Sequence, residues 1–84
     1  MSKVLLYGNL LCPYCFAAKR MLKQKNISFN EIRVDKKASL KQEMISKSGR
    51  FTVPQIFINE YHVGGYDDLV DHAKTGKLEE LLRL

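Results

Sequence analysis

Cys12 and Cys15 are the only two cysteines in the chain, and they stand two residues apart in Leu10-Leu11-Cys12-Pro13-Tyr14-Cys15. A pair at this spacing can hold half of a metal site, close a structural disulfide, or exchange electrons as a reactive dithiol. A protein zinc site needs a second such pair or a closely spaced histidine pair. The remaining soft candidates, His62 and His72, lie far downstream. His62 reads as an exposed strand residue and His72 as a solvated helix residue, so no metal site is expected.

A structural staple fares no better. Small secreted scaffolds held by disulfides usually carry about four or more cysteines. The opening run MSKVLLYGNLLC holds no apolar segment of signal-peptide length. Nothing approaches the roughly 20 apolar residues of a transmembrane helix. The chain is expected to be cytoplasmic, where thiols are kept reduced. The reactive reading remains.

The position of the pair explains how it would react. A strand and a short loop precede Cys12, and Pro13 follows as the first helical residue, where a missing N–H costs nothing. Cys12 is thus expected at the N-cap, with the free amides of Tyr14 and Cys15 directed at its sulfur. Such a site favours a thiolate. The helix macrodipole contributes only about 0.3–1 kcal/mol, so direct N–H···S⁻ hydrogen bonds must supply most of the preference. Cys12 is the expected nucleophile. Cys15, one turn further on, falls on the stripe facing the sheet and is the expected resolving thiol, within disulfide reach.

The elements that hold this pair follow from hydrophobic spacing. Lys3 to Tyr7 reads as a buried strand ending at Gly8, and Pro13 to about Lys25 as a helix whose stripe is Cys15, Ala18 and Leu22. Phe29 to Val34 alternates as a half-exposed strand. Ser39 and Gln42 resemble a capping box opening a second helix that runs through Lys47 and closes near Gly49. Gln55 to Ile58 is a third strand, and Asn59-Glu60 turns into a fourth around His62-Val63. Asp67 is expected to cap a third helix that stops near Gly76, with Leu78 to Leu82 adding a last helical turn or two. The order is β-α-β-α-β-β-α: an α/β chain, one domain over residues 1–84, with a four-stranded mixed sheet flanked by helices.

Composition excludes little but is consistent. A hydrophobic fraction of 45% and a charged fraction of 27% are ordinary for a globular protein, so disorder is not expected. The formal charge of +5 suits nucleic acid, an acidic partner or a small anionic substrate, and solvated helix faces explain it as well. No base-reading motif accompanies it, so nucleic acid is not an expected partner.

Four features in order make the chain resemble a glutaredoxin. They are Cys12-Pro13-Tyr14-Cys15 after the first strand, Thr52-Val53-Pro54 before the third, Gly64-Gly65 closing the hairpin, and Asp67-Asp68 opening the next helix. The set spans nearly the whole chain and is most similar to the short bacterial dithiol form. The resemblance implies a thioredoxin-like fold and glutathione-dependent reduction of protein disulfides and glutathione mixed disulfides. It implies a cis Val53-Pro54 bond, with the Val53 backbone pairing with glutathione as an added strand. It also implies that amides near Gly65, Tyr66 and Asp67 take the γ-glutamyl carboxylate, that Asp67 or Asp68 takes its ammonium, that Lys41 meets the glycine carboxylate, and that Tyr14 and Thr52 wall the groove. Glutathione enters as co-substrate, with no tightly bound cofactor. The implied partners are disulfide-bonded or glutathionylated proteins, ribonucleotide reductase among the candidates, and the chain is expected to be a monomer without membrane association.

The chain departs from the family pattern at two positions. Asn9 stands where many relatives carry a lysine, offering a hydrogen bond without charge. Tyr66 stands where relatives often have a small residue or cysteine. Two other functions fit the resemblance: a glutaredoxin-like electron donor recycled by thioredoxin reductase, and an iron–sulfur carrier sharing a cluster between two chains through Cys12 and glutathione. Pro13, which stiffens the loop, argues against the second.

Overall fold

The computed structural model describes residues 2–83. The strands are β1 (Val4–Gly8), β2 (Asn30–Arg33), β3 (Gln55–Ile58) and β4 (Tyr61–Gly64). The helices are α1 (Pro13–Gln24), α2 (Ala38–Ser48), α3 (Tyr66–Thr75) and α4 (Lys77–Leu82). One mixed sheet runs in the order β2-β1-β3-β4. The α1 crossover makes β1 and β2 parallel, with Tyr7 opposite Ile32. β3 runs antiparallel to both β1 and β4. Helices flank this four-stranded mixed sheet, which is the expected thioredoxin-like architecture.

Alternation along β1 divides the core between two faces. Val4 and Leu6 pack with Ile56 and Ile58 against Ala18 and Leu22 of α1, Leu69 of α3, and Leu78 and Leu81 of α4. Tyr7 points the other way, onto Phe57, Val34 and Met44 of α2. Its hydroxyl donates to Glu43 Oε2 at 2.6 Å and accepts from Lys47 Nζ at 3.1 Å. A buried phenol is thereby satisfied. Burial, reinforced by the Glu43 carboxylate, pushes it above its ordinary pKa.

Several local expectations are corrected. α2 begins one residue before Ser39, with Lys37 at the N-cap and no side-chain cap bond, so Ser39-Gln42 is not a capping box. α3 is capped by Gly65, not Asp67; Asp68, three residues on, reaches back to the Gly65 amide at 2.9 Å. Gly76, left-handed at φ 83°, ends α3 as expected, and the last turns follow as α4 from Lys77. β1 takes in Gly8, and β2 stops at Arg33, although the Val34 amide still donates to Gly8 O at 3.0 Å.

The histidines are also more engaged than their spacing suggested. His62 is half-buried, stacks on Phe57 with ring centroids 4.8 Å apart, and pairs with Gln55 Oε1 at 2.7 Å. His72 bridges Asp68 O at 2.7 Å and the Tyr61 hydroxyl at 3.0 Å. Among the described residues, no helix is long and apolar enough to cross a membrane.

Candidate active site

The loop from β1 to α1 delivers Cys12 to the helix start. Arg33 pairs with Asp35 through Nε at 2.7 Å and Nη2 at 2.8 Å, and Asp35 Oδ2 accepts the Leu10 amide at 3.3 Å. The guanidinium, helped by that amide, holds the Asp35 carboxyl well below the usual carboxylate range. The end of β2 thus anchors the chain two residues before the nucleophile.

Cys12 is the N-cap of α1, extended at φ −138° and ψ 109°, with Pro13 at the first helical position. The Cys15 amide donates to Cys12 Sγ at 3.2 Å. That is one of the two amides expected there, and it is the one that reaches the sulfur. Cys12 Sγ lies 3.9 Å from Val53 O. Cys12 is half-exposed, whereas Cys15 is fully buried. Both are free thiols.

Cys15 sits beneath β1: a Cβ built on Gly8 would come 3.1 Å from its sulfur. Burial pushes the Cys15 thiol up to about 12, and its hydrogen bond with Cys12 and the Cys12 charge add to the shift. The Asn9 backbone and the Lys19 charge oppose it. The two sulfurs therefore differ in access, and burial sets the inner one, Cys15, against ionisation.

Beside Cys12 lies a groove of about 320 Å³. Tyr14, Thr52, Val53, Pro54, Gly65, Tyr66, Asp67 and Asp68, all singled out from the sequence, line it. The Val53-Pro54 peptide is cis. Tyr14 and Tyr66 face one another with ring centroids 6.3 Å apart, forming one wall. Asp67 is exposed, on the first turn of α3. Asp68 Oδ2 is already engaged by the Gly65 amide and by Arg50 Nη1 at 3.0 Å. Those two donors, the amide first, draw its carboxyl below the ordinary range.

Lys41 and Asn9 lie elsewhere. They share a smaller depression of about 190 Å³ with Val34, Asp35, Phe51 and Val53, and Val53 separates it from the main groove. Asn9 Oδ1 is buried there and has no hydrogen-bond partner among the described residues.

Two groove residues escaped the sequence reading. Arg50 spans the mouth to Asp68, and Gln55, 1% exposed, forms the floor. Gln55 Nε2 donates to Thr52 O at 3.0 Å while its oxygen meets His62, so it ties the groove to β4. A signal for Gln55 existed: it is the one polar residue in a strand that otherwise reads Ile-Phe-Ile. No group of three or more His, Cys, Asp or Glu that could hold a metal gathers among the described residues.

Comparison with known proteins agrees with this geometry. The family model for glutaredoxin matches residues 4–63. Glutaredoxin 3 of Escherichia coli K12 is 47% identical over 83 residues, covering 99% of this chain and 100% of the relative. Glutaredoxin of Pseudomonas aeruginosa is 48% identical over 82 residues, 98% of each chain. Among solved structures, a buckwheat glutaredoxin–glutathione complex superposes with a TM-score of 0.88 at 25% identity, covering 98% of this chain and 77% of that one. The solution structure of glutaredoxin from Brucella melitensis gives 0.84 at 48% identity, covering 95% and 87%.

Proposed function

The chain belongs to the glutaredoxin family, and from that membership we propose a glutathione-dependent reductase of protein disulfides and glutathione mixed disulfides, with Cys12 as nucleophile and Cys15 as resolving thiol. The observation that carries this reading is the half-exposed Cys12, whose sulfur is met by the Cys15 amide at 3.2 Å and lies 3.9 Å from O of the groove-lining Val53.

In deglutathionylation, the Cys12 thiolate attacks the glutathione sulfur of a mixed disulfide. The S–S bond of the substrate breaks, its protein thiolate leaves and takes a proton from water, and a Cys12–glutathione disulfide forms. A second glutathione thiolate attacks that disulfide at the glutathione sulfur. Oxidised glutathione departs and Cys12 returns as thiolate. With a protein disulfide, Cys12 first forms a mixed disulfide with one substrate sulfur. Cys15 then attacks Cys12, expelling the second substrate thiolate and leaving a Cys12–Cys15 bridge for two glutathiones to reduce.

The second route needs Cys15 to lose its proton, and the site supplies the timing. Burial most of all, with the Cys12 hydrogen bond and charge adding to it, keeps Cys15 protonated in the reduced enzyme. Once Cys12 is in a mixed disulfide, that charge is gone. Cys15 ionises more readily when it is needed.

Glutathione fits the groove through matched chemistry. Backbone groups of Val53 meet its cysteinyl unit, and the amides at the start of α3, at Tyr66 and Asp67, meet the γ-glutamyl carboxylate. The ammonium goes to Asp67, whose carboxylate is exposed, while Asp68 holds the loop through Gly65. Lys41, across Val53, takes the glycine carboxylate, with Asn9 beside it as a hydrogen-bonding group. The whole chain works as one domain.

Cys12→Ser should abolish both activities, whereas Cys15→Ser should lose protein-disulfide reduction and keep turnover of a glutathionylated peptide. An active Cys12→Ser enzyme would overturn the assignment.

A further inference from the structure

Lys41 and Arg50 have a place at or beside the groove, but the basic residues of the helix that carries the thiols have none there. α1 holds Lys19, Arg20 and Lys23 and no acidic residue. Lys19 pairs with Glu31 at 2.8 Å. Neither Arg20 nor Lys23 has a carboxylate partner among the described residues, and both are exposed.

These cations surround apolar surface that faces water. Phe16 is 66% exposed, and Leu11, next to Cys12, is 92% exposed. Phe16 and Arg20 form a ridge between two shallow depressions. One, of about 420 Å³, is walled by Lys19, Lys23 and Gln24. The other, of about 410 Å³, runs to Tyr66, which is also a wall of the glutathione groove. An apolar centre with a charged rim, on the helix that Cys12 caps and linked through Tyr66 to the groove beside it, has the anatomy of a protein-docking surface.

We propose that the exposed face of α1, the ridge of Phe16 and Arg20 with Lys23 beside it, docks protein substrates through acidic segments flanking their disulfides. The proposal rests on the reductase reading and specifies which proteins it acts on. Charge complementarity selects the occupant, because an acidic chain carrying apolar residues satisfies both Arg20 and Lys23 and covers Phe16. A nucleic acid would leave that apolar ridge unmatched. Glutathione needs none of this surface, so the choice of protein and the chemistry of the thiols are separable.

The test uses two glutathionylated peptides of equal length around the same cysteine, one with flanking Asp and Glu, the other with flanking Lys. The wild-type enzyme should turn over the acidic peptide with a kcat/KM about tenfold higher at low ionic strength, and added salt should erase the difference. The double variant Arg20→Glu/Lys23→Glu should reverse the preference while reducing glutathionylated 2-mercaptoethanol as wild type does. Equal handling of both peptides by wild type, or an unchanged preference in the variant, would overturn the proposal. A cysteine-free acidic peptide, titrated while backbone amide resonances are followed, gives an answer independent of turnover. Shifts confined to α1 support docking, and their absence refutes it. Failure on glutathionylated 2-mercaptoethanol alone counts against the reductase reading and leaves the binding result to decide the docking surface. Tighter binding to duplex DNA or to phosphatidylserine vesicles than to the acidic peptide would also overturn it.

Discussion

Arg50 and Asp68 form an ion pair across the mouth of the groove beside Cys12, with Nη1 3.0 Å from Oδ2, and the same oxygen accepts the Gly65 amide. One carboxylate thus fastens the start of α3 and the loop before Val53. Both side chains are about half exposed, so the ion pair itself contributes little and the amide bond carries most of the effect.

Asp68→Ala should therefore cost about 1 kcal/mol at neutral pH, the usual value of a lost helix cap. The folded-state carboxyl is held below its ordinary range. Its contribution is fully present above the unfolded value of about 3.9 and fades as pH falls through the folded value. Urea unfolding of wild type and variant at pH 7 and about pH 2 measures it. The gap between them should narrow in acid, and a constant gap would show that the charge is not involved.

Gly64 lies against the same carboxylate. Its φ of 117° is closed to ordinary side chains, and an added Cβ would collide with Asp68 Oδ2. Gly64→Ala should destabilise by about 1–3 kcal/mol. Placed in an Asp68→Ala background, the same change should cost less, because the contacts with the carboxyl group are gone and only the backbone strain and the 2.9 Å approach to the Cβ at position 68 survive. A double-mutant cycle in thermal or urea unfolding reads the coupling, and strict additivity would contradict the contact.

The two thiols should separate cleanly by alkylation. Native protein treated with excess iodoacetamide near neutral pH should gain one adduct, located at Cys12 by peptide mass spectrometry. Cys15 is 0% exposed and pushed up to about 12, so it stays a buried thiol until the protein unfolds. Comparable labelling of both sulfurs in the folded protein would refute this division of roles.

How much of this could be read from the chain depends on how local each feature is. Cys12 at the N-cap with Pro13 behind it is a matter of consecutive residues, and the structure agrees with the expectation. The two failed caps, Ser39 and Asp67, share a cause. Residue type marks a capacity to cap, while the helix start is set by where the chain leaves the sheet, and at α3 that places Gly65 first with Asp68 reaching back. His62 read as an exposed strand residue because it falls on a hairpin just after the polar turn Asn59-Glu60. Pairing with β3 puts Phe57 opposite it, and Gln55 turns to meet it. Arg50 was illegible for the same reason, since its partner stands 18 positions later. The cis bond before Pro54 was legible only through the family resemblance.

The margins of the sheet also shape how this molecule meets others. β2 and β4, its outer strands, are four residues each. β2 carries Glu31 and Arg33 tied into ion pairs, and the pairing of β4 with β3 slips between Ile56 and Phe57. Short, charged and irregular borders make a poor template for a foreign strand, so the apolar run in β3 stays sealed from cross-β stacking. Neighbouring chains gain no backbone foothold along either border.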